Sequence, residues 1–122
     1  MNSATILVVD DEAQIRRVLR STLSSNGYDV LEAKNGDEAI ETAVRARPDL
    51  ILLDVNMPGI SGLELLTQIR NEATPAILIT AHDDEQVRNR VFAAGAVGFF
   101  LKPFDNRQLI STVKDALHLE AS

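Results

Sequence analysis

Ile6-Leu7-Val8-Val9-Asp10-Asp11 is the stretch that decides the fold. Its apolar part is continuous rather than alternating, which suits a strand covered on both faces, as in a parallel sheet. After it, Ile15, Val18, Leu19, Thr22 and Leu23 follow the spacing of one helix face, while Arg16, Arg17 and Arg20 point elsewhere, as a charged outer face would. Asn26-Gly27 is the expected helix stop. A strand followed by a helix is therefore the unit, and it recurs along the whole chain.

The second apolar run, Tyr28 to Ala33, carries Asp29 and Glu32 and reads as an edge strand. Asn35-Gly36-Asp37 opens a helix through Ala39, Ile40, Ala43 and Val44, ended by Pro48. Leu50-Ile51-Leu52-Leu53 is the third run and ends at Asp54. Val55 to Gly62, with one proline and two glycines, reads as a loop, and Leu63, Leu66 and Ile69 continue as a helix. Ala76-Ile77-Leu78-Ile79 is the fourth run, ending at Thr80, and a helix carrying Val87 and Val91 follows and stops at Gly95. Val97 to Leu101 is the fifth run, ending at Lys102-Pro103, and the last helix buries Leu109, Ile110, Val113 and Leu117. Five strand–helix units with short connections predict an α/β fold, with a five-stranded parallel sheet and helices on both faces.

At 122 residues and 13.3 kDa the chain is expected to form one domain, residues 1–122. Its 45% apolar and 25% charged residues are ordinary globular composition. Eighteen acidic residues against 12 basic ones give a net charge of -6, which argues against direct nucleic-acid binding. The absence of cysteine excludes disulfides, thiolate metal sites and cysteine nucleophiles. No apolar run approaches the ~20 residues that span a bilayer, so no membrane association is expected and the expected location is cytoplasmic.

The chemistry lies where the strands end. Asp10 and Asp11 end the first strand, Asp54 the third, Thr80 the fourth and Lys102 the fifth. In a parallel sheet those ends share one edge, where ligands bind. Taken singly, Asp10, Asp11 or Thr80 could cap a helix and Lys102 could be a solvated surface lysine. Capping does not explain why all five share an edge. Neighbouring carboxylates repel, so an uncompensated site would cost stability, and a hard cation removes that cost. With oxygen ligands only, Mg²⁺ is the expected ion, and its habit of recruiting phosphate points to phosphoryl chemistry.

Val8-Val9-Asp10-Asp11, Leu53-Asp54-Val55-Asn56-Met57-Pro58-Gly59, Ile79-Thr80-Ala81 and Phe100-Leu101-Lys102-Pro103-Phe104 together resemble the receiver domain of two-component response regulators. The likeness runs from Ala4 to about Leu119. It implies a flavodoxin-like, doubly wound (βα)5 fold with strand order 2-1-3-4-5. It further implies that Asp54 accepts a phosphoryl group from a sensor histidine kinase or histidine phosphotransfer protein. Asp11, Asp54 and the Asn56 carbonyl would ligate Mg²⁺, and Asp10 would hold it largely through water. Lys102 would pair with Asp54 at rest and with a phosphoryl oxygen afterwards, and Lys102-Pro103 would be a cis peptide. Thr80 matches the switch hydroxyl and Phe99 the switch aromatic. The family often has Tyr at the latter position, so a contact through a phenolic hydroxyl is absent here.

Asn56 and His82 fall at the two variable positions that tune the lifetime of the phosphorylated state in relatives. The fourth helix, fifth strand and fifth helix would form the switched surface, a possible homodimer interface. The three arginines of the first helix would contribute to kinase docking. By the same likeness the chain would be no conventional enzyme, catalysing only its own phosphorylation and dephosphorylation. It would be a single-domain regulator or a receiver excised from a longer one.

Two other classes fit less well. A phosphohydrolase of the haloacid dehalogenase type would carry Asp-x-Asp-x-Thr, and Asp54-Val55-Asn56-Met57-Pro58 lacks the second Asp and the Thr. A flavodoxin-like nucleotide or flavin carrier would place a glycine- or hydroxyl-rich phosphate loop where Asp10-Asp11-Glu12 stands.

Overall fold

Each apolar run becomes a strand and each periodic stretch a helix. The computed structural model describes residues 3–55, 57, 62–69, 74–81 and 85–121. In chain order the elements are β1 (Thr5–Val9), α1 (Ala13–Ser25), β2 (Asp29–Ala33), α2 (Gly36–Ala46) and β3 (Leu50–Asp54), followed by α3 (Gly62–Ile69), β4 (Ala76–Thr80), α4 (Glu85–Ala93), β5 (Gly98–Leu101) and α5 (Asn106–Ala121). All strand pairs are parallel, in the order β2-β1-β3-β4-β5. This is the flavodoxin-like, doubly wound (βα)5 fold expected from the sequence.

Alternation along the strands divides the core into two layers. Ile6 and Val8 of β1 pack with Leu19 and Leu23 of α1 and with Leu109 and Val113 of α5. Leu7 and Val9 turn to the opposite face, against Ala39 and Ala43 of α2, Leu65 and Leu66 of α3, and Val91 of α4. Both layers exclude water, and each fully buried Leu or Ile contributes roughly 1.5–3 kcal/mol relative to exposure. The continuous apolar reading of β1, β3 and β4 is the sequence record of this two-sided burial.

The helix ends follow local chemistry. Asn35 caps α2 by accepting the Glu38 N–H at 2.9 Å, and Glu38 reaches back to the Lys34 N–H at 2.9 Å. After α1 the chain turns through Gly27 at φ 88°, a left-handed conformation open to glycine.

Several expectations are corrected, among them Val44, which is 73% exposed because α2 packs through Ala39, Ile40 and Ala43. Val18 is 42% exposed, because α1 meets the sheet along the Ile15, Leu19 and Leu23 row and leaves Val18 at the rim. The fifth strand begins at Gly98 rather than Val97, which is exposed just before it, and Leu101 is exposed because β5 is an edge strand. Gly62 belongs to a helix rather than to the preceding loop, and opens α3.

Candidate functional site

The topology sets a crevice at the carboxyl ends of β1 and β3. There the connection from β1 runs to α1 on one face, while α2 and α3 cover the other. Asp10 follows β1, Asp54 ends β3, Thr80 ends β4 and Lys102 follows β5. Backbone hydrogen bonds continue past the strand ends and fix these residues. The Asp10 N–H donates to Ala33 O at 3.1 Å, the Val55 N–H to Ile79 O at 2.9 Å, and the Lys102 N–H to Thr80 O at 2.7 Å. Asp10, Asp54 and Thr80 are buried, whereas Asp11 and Glu12 are exposed at the mouth.

Lys102 draws the group together. Its Nζ lies 2.9 Å from Asp10 Oδ2, 3.1 Å from Glu12 Oε1 and 3.4 Å from Asp54 Oδ2. Its side chain is only 10% exposed, unlike a solvated surface lysine. Burial works against the ammonium charge, but hydrogen bonds to Asp10 and Glu12 and the charges of Asp10 and Asp54 outweigh it. The Lys102 pKa is therefore held above the ordinary lysine value. The Lys102–Pro103 peptide is cis.

The carboxylates of Asp10, Asp11, Glu12 and Asp54 each offer an oxygen, and these atoms lie within 4.8 Å of one another. An all-oxygen donor set of this size fits a hard divalent cation. The other Asp10 oxygen accepts the Glu12 N–H at 2.9 Å, so Asp10 also braces the turn into α1. Sequence reasoning missed Glu12 as a partner of Lys102. The signal was present in the acidic run Asp10-Asp11-Glu12, but a contact 90 residues apart has no local signature.

A second missed residue is Gly62. Its N–H donates to Val55 O at 2.9 Å. A Cβ there would lie 2.6 Å from Val55 Cα and 3.0 Å from Asp54 O, both backbone atoms that cannot swing aside. The first turn of α3 is thus seated directly on the strand end that carries Asp54. Gly62→Ala is expected to lower unfolding free energy by about 2 kcal/mol through this overpacking. Urea denaturation checks this, and a change below about 0.5 kcal/mol, the range of a neutral surface substitution, would contradict it.

Phe99 is half-buried on the α4 side of β5, with its ring 6.5 Å from that of Phe92 and the Arg88 guanidinium 5.4 Å from its centroid. It borders a groove of about 550 Å³ formed with Leu101, Pro103, Phe104 and Gln108. Phe100 faces the other layer, beside α5. Asn56 and His82 lie outside the described residues.

A family model described as the response regulator receiver domain matches residues 6–114. The chain belongs to the response regulator receiver family. The receiver is 49% identical over 117 residues to the transcriptional regulatory protein ResD of Bacillus subtilis, covering 95% of this chain and 49% of that protein. It is 41% identical over 121 residues to the phosphate regulon transcriptional regulatory protein PhoB of Pseudomonas aeruginosa, covering 96% of this chain and 53% of that protein. The chain thus spans about half the length of these curated relatives.

Among solved structures, it superposes on the chemotaxis protein CheY4 of Vibrio cholerae with a TM-score of 0.87 at 34% identity, covering 94% of this chain and 99% of that one. A CheY-like receiver from Methanospirillum hungatei gives a TM-score of 0.94 at 25% identity, covering 98% of each chain. Receivers generally bind Mg²⁺ at an acidic pocket, and this receiver has an acidic cluster, Asp10, Asp11, Glu12 and Asp54. Among the described residues, no helix is long and apolar enough to cross a membrane.

Proposed function

We propose that residues 1–122 act as one phosphoacceptor receiver domain in which Asp54 takes a phosphoryl group from the phosphohistidine of a sensor histidine kinase or phosphotransfer protein. One observation carries this reading. Lys102 bridges the buried carboxylates of Asp10 and Asp54, 2.9 and 3.4 Å away, beside two further carboxylates at the mouth of the same crevice.

In the transfer, an Asp54 carboxylate oxygen attacks phosphorus and the phosphorus–nitrogen bond breaks. The electron pair leaves with the imidazole, and an acyl phosphate forms on Asp54. Such a transfer demands positioning and charge neutralisation more than covalent chemistry. Lys102 exchanges part of its hold on the carboxylates for a phosphoryl oxygen. Asp10, Asp11 and Asp54, with the carbonyl of Asn56, are the groups that would hold Mg²⁺. When bound, the ion supplies the neutralisation that lets an anionic phosphoryl group enter an acidic crevice.

The Thr80 hydroxyl, on the strand next to Asp54, then donates to the phosphoryl group, and Phe99 responds behind it. The changed surface is α4-β5-α5, where the groove beside Phe99 lies, and a second copy of the chain is one partner it could take. Asn56 and His82 tune the lifetime of the acyl phosphate. The receiver catalyses only its own phosphorylation and dephosphorylation, works in the cytoplasm, and does not itself bind nucleic acid. The printed names of ResD and PhoB support a transcriptional output.

Acetyl phosphate with Mg²⁺ is expected to add one phosphoryl group per chain, read by intact mass, and EDTA is expected to prevent it. Labelling that is unaffected by EDTA, or that exceeds one group, would overturn the reading.

A further inference from the structure

The sequence places Arg16 on the charged outer face of α1. The structure turns it inward. Its side chain is 16% exposed, against 48% for Arg20 one turn later. Arg16 Nη1 donates to the backbone carbonyl of Asp10 at 2.7 Å, and Nε donates to Glu32 Oε1 at 3.3 Å. The second Glu32 oxygen accepts from Arg20. Glu32 stands on β2 opposite Val8, so this guanidinium ties the β1–α1 turn to the neighbouring strand.

The carbonyl it holds belongs to the peptide that joins Asp10 to Asp11. The N–H of Asp10 is already fixed to Ala33 O, and its carboxylate to Lys102 and the Glu12 N–H. Arg16 fixes the remaining group, the carbonyl, and with it the plane of the following peptide. That plane sets the direction in which the exposed Asp11 leaves the strand. A planar fork with several fixed donors suits a task of orienting two acceptors at once. Glu32, otherwise an odd charge on a half-buried strand, is explained as the brace that aims it.

We propose that Arg16 is a positioning residue of the acidic site: braced by Glu32, its guanidinium fixes the Asp10–Asp11 peptide and thereby holds the Asp11 carboxylate in range of Asp54. The inference rests on the reading of that site as a divalent-cation site. Partners of this kind, one shell behind the ligands, commonly change metal affinity by 10- to 100-fold when removed.

The test is calorimetric titration of the purified chain with Mg²⁺ alone. Arg16→Ala is expected to weaken binding about tenfold, Glu32→Gln about threefold, and Arg16→Lys to recover part of the loss. Arg20→Ala, which touches Glu32 but not Asp10, is expected to stay within about twofold of wild type. Should Arg16→Ala not fold, Arg16→Lys and Glu32→Gln carry the comparison. Wild-type affinity in all Arg16 and Glu32 variants would overturn the inference alone. So would a melting-temperature loss equal in EDTA and in Mg²⁺, since it marks a merely structural role. Failure of the wild-type chain to bind Mg²⁺ would overturn the cation-site reading, and the inference with it.

Discussion

Lys102→Ala is expected to destabilise the metal-free protein by about 3 kcal/mol, the cost of breaking a buried ion pair by removing one partner. The size follows from what remains. Asp10 and Asp54, with side chains 2% and 4% exposed, would face each other without the ammonium that lies between them. Glu12, 58% exposed on its side chain, can turn to water and adds little to the loss. Because a divalent cation held by this cluster would bind the folded and not the unfolded chain, millimolar Mg²⁺ should return part of this stability to the variant. Urea denaturation in EDTA and in Mg²⁺ measures both effects. A loss under about 1 kcal/mol in EDTA, the scale of an exposed ion pair, would show that Lys102 does not hold the resting crevice together.

Asp54→Asn should separate chemistry from folding. The amide keeps the volume of the buried side chain, and Lys102 retains Asp10 and Glu12 as partners, so the fold is expected to persist. Phosphoryl transfer is expected to fall by roughly a hundredfold or more, since an amide is no substitute for the carboxylate nucleophile. Acetyl phosphate with Mg²⁺, followed by intact mass over time, reads the loss. Labelling of Asp54→Asn at the wild-type rate would move the acceptor elsewhere.

The fold was legible because burial is written into composition. A strand covered on both faces reads as a continuous apolar run, and β1, β3 and β4 are apolar at every position but one end residue, Thr5, Asp54 and Thr80. Of the two edge strands, β2 was recognisable by Asp29 and Glu32, whereas nothing in the residues of β5 marked it as an edge, since its exposure depends on which strand has no neighbour. Helix faces were legible to about one side chain. Val18 sits one step from Leu19, and the angle at which α1 meets the sheet, a tertiary property, decides which of them is buried.

The site was legible where a rule of topology applied. Parallel strands deliver their last residues to one edge, so Asp10, Asp54, Thr80 and Lys102 could be placed together without coordinates. What the sequence did not reveal are contacts set by side-chain reach and close packing. Glu12 meets Lys102 because an exposed carboxylate folds back over the crevice. Arg16 leaves the helix surface because Glu32 and the Asp10 carbonyl are within its reach. Gly62 is required by the approach of one backbone to another, which no pattern of hydrophobicity records.

The most direct measurement is borohydride reduction of the phosphorylated protein followed by peptide mapping, because an acyl phosphate on aspartate is reduced to homoserine while unmodified carboxylates are not. Homoserine at position 54 alone is the expected result. Homoserine at Asp10 or Asp11, or a phosphate that survives reduction on another side chain, would contradict the assignment of Asp54 as the acceptor.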